Sequence, residues 1–172
     1  MKKEQLSRDV VLERMAVAFH DLLTALSSQL NNNKDIQAGI KEGLCKFLSN
    51  VHIAMVGKKH TDYYSEKAYD VCTKQNAKKT GLVYEHIVPK NRYQNEIITS
   101  FVDGNGMTED EIRERLENSW WIATITKEED DKLDRLDMPS DWDGKDTFAR
   151  YRKAGITLHT WDEWTSIKSG GK

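Results

Sequence analysis

Hydrophobic positions organise the first third of the chain. Between Val11 and Leu30, Val11, Met15, Ala18, Phe19, Leu22, Leu26 and Leu30 recur at three- and four-residue steps. That recurrence matches the turn of an α-helix and predicts one helix with a continuous apolar face. Asn31, Asn32 and Asn33 break it. A second helix is expected over 35–51, burying Ile36, Ile40, Leu44, Phe47 and Leu48. Gly57-Lys58-Lys59-His60 reads as a turn, and a third helix over 65–74 carries Ala68, Tyr69, Val71 and Cys72.

The pattern changes at Gly81. Residues 81–88 open on Gly81, are rich in β-branched and aromatic residues and stop at Pro89, which predicts a short strand. Residues 103–106 read as a loop. Thr108 and Glu111 have the spacing of a capping box, opening a helix that runs to about Asn118. A second strand is expected over 121–126. Thr126 and Glu129 form another capping box, so that strand should turn directly into a helix of about ten residues, ending before Met138-Pro139. Beyond a loop at 141–145 come a short segment at 148–151 and a strand at 156–159. A last turn capped by Thr160 and Glu163 closes the chain.

Composition narrows the class. The 172 residues are 38% hydrophobic and 31% charged, with five Trp, six Tyr and four Phe, enough to build a core despite a mean hydropathy of -0.72. No apolar run approaches the roughly 20 residues that span a bilayer, and MKKEQLSRDV has no signal-peptide core. A soluble, cytoplasmic protein without a membrane partner is expected. Cys45 and Cys72 have no CxxC spacing, which leaves no disulfide framework and no four-cysteine zinc site.

Net charge is -2, but its distribution is uneven. Residues 41–92 carry ten basic against five acidic groups, 93–147 six against sixteen, and 148–172 five against two. A near-neutral total therefore conceals basic stretches around an acidic block, and does not exclude a nucleic-acid partner.

The segment with the most chemistry is Tyr84-Glu85-His86-Ile87-Val88-Pro89-Lys90. A carboxylate and a histidine close one strand. A second strand then enters a helix whose first turn, Glu128 to Asp131, is acidic. This β-β-α order resembles the metal-dependent His-Asn-His (HNH) endonucleases. Their motif reads Asp-His-Ile-x-Pro, with Glu or His also found in first place, followed by a strand ending in Thr and a helix opening Thr-Lys-Glu-Glu-His. The resemblance covers about residues 81–136. Added to the N-terminal helices read from the pattern, it leads to the expectation of an α+β, mostly helical fold: a helical N-terminal region over 1–80, then an HNH-like ββα region with a C-terminal extension over 81–172.

The same resemblance implies hydrolysis of phosphodiester bonds in DNA. His86 matches the general base and Glu85 the carboxylate metal ligand. Asp130 matches the helix ligand, with Asp131 second. A helical wheel places Asp130 on the flank of the face that carries Leu133 and Leu136, and Asp131 nearly opposite. Oxygen donors favour Mg²⁺ or Mn²⁺. The family's middle Asn has no match directly before the second strand, and Asn118 is the nearest candidate. Lys90, Arg92 and Arg150, with Lys78, Lys79 and Arg152, are candidate phosphate contacts.

Plainer readings stand beside these. Alone, His86 is a strand-end histidine bonded to a carbonyl, Asp130 an acid at a helix N-terminus, and each cation a solvated one. Trp120, Trp121, Trp161 and Trp164 read as core rather than base-stacking platforms. His20, His52, His60 and His159 have no metal-ligand spacing. The rival function is a catalytically inactive HNH-like regulator or inhibitor that binds protein or nucleic acid, with the N-terminal helices offering a protein or homodimer surface.

Overall fold

The computed structural model describes residues 6–32, 34–57, 60–74, 81–134 and 136–170, with the backbone alone at 30–32, 34–37, 41 and 45. The elements run α1 (Arg8–Asn32), α2 (Lys34–Val56), β1 (Tyr63–Ser65), α3 (Glu66–Thr73), β2 (Leu82–His86), α4 (Lys90–Val102), α5 (Glu109–Ser119), β3 (Ile122–Thr126), α6 (Lys127–Asp130), α7 (Ala149–Lys153), β4 (Leu158–His159) and α8 (Trp161–Ser169). The fold is α+β and mostly helical, with one small mixed sheet. Among the described residues no helix is long and apolar enough to cross a membrane.

Two compact units divide the chain, and they do not follow a boundary at residue 80. One comprises Met1–His60 with Lys90–Ser119, the other Thr61–Pro89 with Trp120–Lys172. The chain leaves the helical unit, builds part of the sheet, returns for α4 and α5, and then completes the sheet.

In the helical unit α1 packs on α2, α4 and α5. Its buried residues are Val11, Leu12, Met15, Ala16, Phe19 and Leu23. The buried face is thus rotated from the expected one: Leu12, Ala16 and Leu23 replace Ala18, Leu22 and Leu26, which are half-buried. Packing against three helices widens the stripe to pairs of adjacent residues. Leu44 and Leu48 of α2 are buried as expected, and Phe47 stacks on Phe19 at 6.2 Å between ring centroids. The Leu30 and Ile36 side chains, Asn33, Lys58, Lys59, Lys78 and Lys79 lie outside the described residues.

Helix α4 was not expected from the pattern. Pro89 ends a strand but also immediately precedes a helix, where a missing N–H goes unneeded. Tyr93, Gln94, Ile97, Ile98 and Phe101 form its buried side. Helix α5 opens as read: Thr108 Oγ1 accepts from the Glu111 amide at 3.2 Å, and Glu111 Oε2 accepts from the Thr108 amide at 2.8 Å.

The other unit holds the sheet, in the order β2-β3-β1-β4. The β2–β3 pair is antiparallel, with Leu82 opposite Thr126 and His86 opposite Ile122. Strand β1, too short to be read from the pattern, runs parallel to β3, and β4 is antiparallel to β1. One face buries Ala123 and Ile125 against Ile87, Leu133, Tyr151 and Ile156. On the opposite face, register aligns Tyr84, Thr124, Tyr64 and His159 in one row. Tyr69 of α3 and Trp164 of α8 are buried near this row, and Trp164 Nε1 donates to the Tyr64 carbonyl at 2.7 Å.

Candidate functional site

The candidate residues arrive on β2, on the turn out of β3 and on α7. Alternation along β2 separates the first two. Glu85 lies opposite Ala123 on the face that carries Tyr151, whereas the His86 ring packs edge-on against Trp120, with centroids 4.7 Å apart. Trp120 is buried, and the Ile87 amide donates to the Trp121 carbonyl at 2.8 Å. Both contacts fix the strand end.

Glu85 has a partner inside the protein. Arg150, only 3% exposed, donates from Nη2 to Glu85 Oε1 at 3.1 Å and from Nη1 to the Asp134 carbonyl at 2.6 Å. Nη2 also donates to the His86 carbonyl. This corrects the expectation that Arg150 contacts phosphate: a phosphate contact requires an accessible guanidinium, and this one is directed inward. Helix α7 carries it there because Tyr151, fully buried, anchors the same turn in the core.

Helix α6 is four residues long rather than ten. Its start is as read, with Thr126 and Glu129 capping each other, and Ser65 Oγ adds a 2.6 Å bond to Glu129 Oε2. After Asp130 the chain tightens into three-residue turns, the Lys132 amide donating to the Glu129 carbonyl and the Leu133 amide to the Asp130 carbonyl, and a second device bars any return to helix. The Asp134 carboxylate accepts from the Leu136 and Asp137 amides at 3.0 and 3.1 Å, a turn that competes with helix. These backbone bonds also hold the Asp134 pKa below its ordinary value. Leu133 is buried but Leu136 is exposed, so the apolar face used to place the acids has only its first residue. Asp130 is nonetheless buried and Asp131 exposed. Lys127 Nζ holds both, at 2.9 and 2.6 Å.

Tyr151 lies within the electrostatic reach of this group. Burial raises its pKa first. Arg150 opposes the rise, and the charges of Glu85 and Asp130 add to it. The two carboxylates thus act on one hydroxyl from different elements.

A divalent metal can be tested against these residues. Carboxylate oxygens suit Mg²⁺ or Mn²⁺ in kind. In this structure Glu85 is paired with Arg150, and Asp130 and Asp131 share Lys127, so an ion at these carboxylates would have to compete with those cations. Among the described residues, the three potential ligands whose donor atoms lie within 4.8 Å of one another are His20, Asp21 and Glu109, in the helical unit. The His20 Nδ1 atom is 3.7 Å from a carboxylate oxygen of each acid. Linear spacing could not reveal this group, since Glu109 lies on another helix.

The remaining candidates are divided. Asn118, exposed, Lys90 and Arg92 belong to the helical unit, where Lys90 Nζ donates to Ser49 Oγ at 3.0 Å. In the sheet unit, Arg152 pairs with Asp146 at 2.9 Å and helps line an open cavity of about 610 Å³ with Trp142 and Asp143. No family model, curated protein or solved structure matches the chain.

Proposed function

We propose that the protein is a metal-dependent HNH-type endonuclease that hydrolyses phosphodiester bonds in DNA, with the end of β2 as its reacting centre. The supporting observation is the order of parts: β2 ends in Glu85-His86, pairs antiparallel with β3, and β3 enters the Thr126-capped helix α6 without a linker. In this reading His86 is the general base. A neutral imidazole takes a proton from water as the water oxygen attacks phosphorus, and the bond to the 3'-oxygen breaks. The edge contact with Trp120 orients the ring.

The test uses the full chain with Mg²⁺ or Mn²⁺ on duplex DNA and, separately, on RNA. Wild type should cut DNA, and His86→Ala should lose about 100-fold or more of that rate while its circular dichroism is unchanged. No cutting, or equal cutting by both proteins, ends this reading.

A second reading has its own support. The internal pairing of Glu85 with Arg150 and of Asp130 with Lys127 suits a catalytically inactive HNH-like protein that works by binding. Its acidic segment, 93–147, would then face a partner. A wild type that cuts nothing, and whose DNA binding is unaltered by Glu85→Gln and Asp130→Asn, favours this second reading.

A further inference from the structure

Among the described cations of the sheet unit, Arg150 is the buried one. Its guanidinium is buried and reaches three acceptors on two stretches of chain: Glu85 Oε1 and the His86 carbonyl at the end of β2, and the Asp134 carbonyl after α6. A guanidinium stays charged at any pH a protein survives. Buried, it requires a counter-ion, and Glu85 supplies one.

We propose that Arg150 is the resident cation of the Glu85 position: it holds Glu85 and the backbone of His86 in place, and a divalent cation binds Glu85 only by competing with it. The inference rests on the hydrolase reading for the identity of Glu85 as the cation-binding carboxylate. Two cations on one carboxylate repel each other, and the repulsion is strongest where little water screens it. Arg150 cannot relieve it by losing a proton, so it must swing away or exclude the ion. Swinging away breaks its bonds to the Asp134 and His86 carbonyls and loosens the strand end beside the candidate base. Arg150 is therefore a positioning residue, and its contacts link the geometry at His86 to the occupancy of Glu85.

Mn²⁺ is the probe, titrated into the full chain and followed by calorimetry and by the electron-spin signal of free ion. The informative quantity is the component lost on Glu85→Gln, which separates this position from any binding at the His20, Asp21 and Glu109 group. Arg150→Met should bind Mn²⁺ through Glu85 about 10-fold or more tightly than wild type, the size of effect a neighbouring charge has on a carboxylate. Arg150→Lys, whose ammonium can give up a proton as the ion arrives, should fall between wild type and Arg150→Met. Adding Glu85→Gln to Arg150→Met should abolish the gain. If Arg150→Met does not fold, Arg150→Gln, neutral but still able to donate to the carbonyls, should show the same gain.

Equal Glu85-dependent affinity in wild type and the neutral variants overturns the proposal, as does a gain that survives Glu85→Gln. Failure of the hydrolase reading looks different. A wild type that cuts no DNA, with a Glu85-dependent gain in Arg150→Met, ends that reading and keeps the resident cation. A wild type that cuts DNA and already binds Mn²⁺ through Glu85 as tightly as Arg150→Met does the reverse.

Discussion

The helical unit and the sheet unit are stabilised by different interactions. Among the described residues of the first, the buried side chains are mostly apolar, as at Leu12, Met15, Phe19, Leu23, Leu48, Ile97 and Leu116, with His52 and Gln94 the buried polar ones. In the second, Ser65, Thr124, Glu129, Asp130 and Arg150 are buried among the apolar residues. Apolar burial is roughly proportional to area and indifferent to direction. Buried polar groups are stabilising only when their partners are in place, and removing one partner is costly. The helical unit should therefore tolerate volume-conserving change, whereas the sheet unit should respond to single polar atoms.

The largest expected effects set these two kinds of core side by side. Phe19→Ala removes a fully buried ring that stacks on Phe47 and should cost about 3–5 kcal/mol by denaturant unfolding. Arg150→Met should cost about 3 kcal/mol, at the low end for a broken buried pair because Glu85 is 25% exposed. A second substitution separates them. Adding Glu85→Leu to Arg150→Met should recover much of the loss, since no unpaired charge remains. A double variant as unstable as the single one would show that the two units do not differ in this way.

Capping sharpens the contrast inside the sheet unit. Thr126→Ala breaks a box whose Glu129 is buried and also bonded to Ser65, and should cost about 1–2 kcal/mol. Thr160→Ala breaks an identical box at α8, but Glu163 there is exposed to water, which can replace the lost bonds. Its loss of melting temperature should be clearly smaller. Equal losses would mean that burial adds nothing to the cap.

These boxes were also the most legible part of the chain. Thr126-x-x-Glu129 and Thr160-x-x-Glu163 announce helix starts because both bonds form within four residues. Helices α1 and α2 and strands β2 and β3 were legible for a related reason: periodicity and β-branched runs are local signals. What was illegible depends on partners distant in the chain. Strand β1 has three residues and exists through pairing with β3, sixty residues on. Helix α6 does not extend to residue 136 because the Asp134 side chain bonds the Leu136 and Asp137 amides that a longer helix would need. Arg150 read as a phosphate contact because a sequence gives the sign of a charge and not its direction. Its partner Glu85 lies 65 residues away, at no spacing that marks an ion pair.

The smallest effect at neutral pH isolates one atom of the same network. Burial, then the charges of Glu85 and Asp130 against the opposing pull of Arg150, raise the Tyr151 hydroxyl pKa above its ordinary 10.0. In the folded chain it stays protonated where the unfolded chain would ionise. Its contribution is therefore fully present below about pH 10 and is lost as pH rises toward the folded value, at up to about 1.4 kcal/mol per pH unit. Tyr151→Phe should change stability by about 1 kcal/mol or less at pH 7. Between pH 10 and 11.5 it should lose stability more slowly than wild type, with Tyr64 and Tyr84, both also raised by burial, still titrating in each protein. Parallel alkaline slopes would mean that the hydroxyl reaches water before the unit unfolds, and so that the surroundings of Arg150 and Glu85 are wetter than their burial implies.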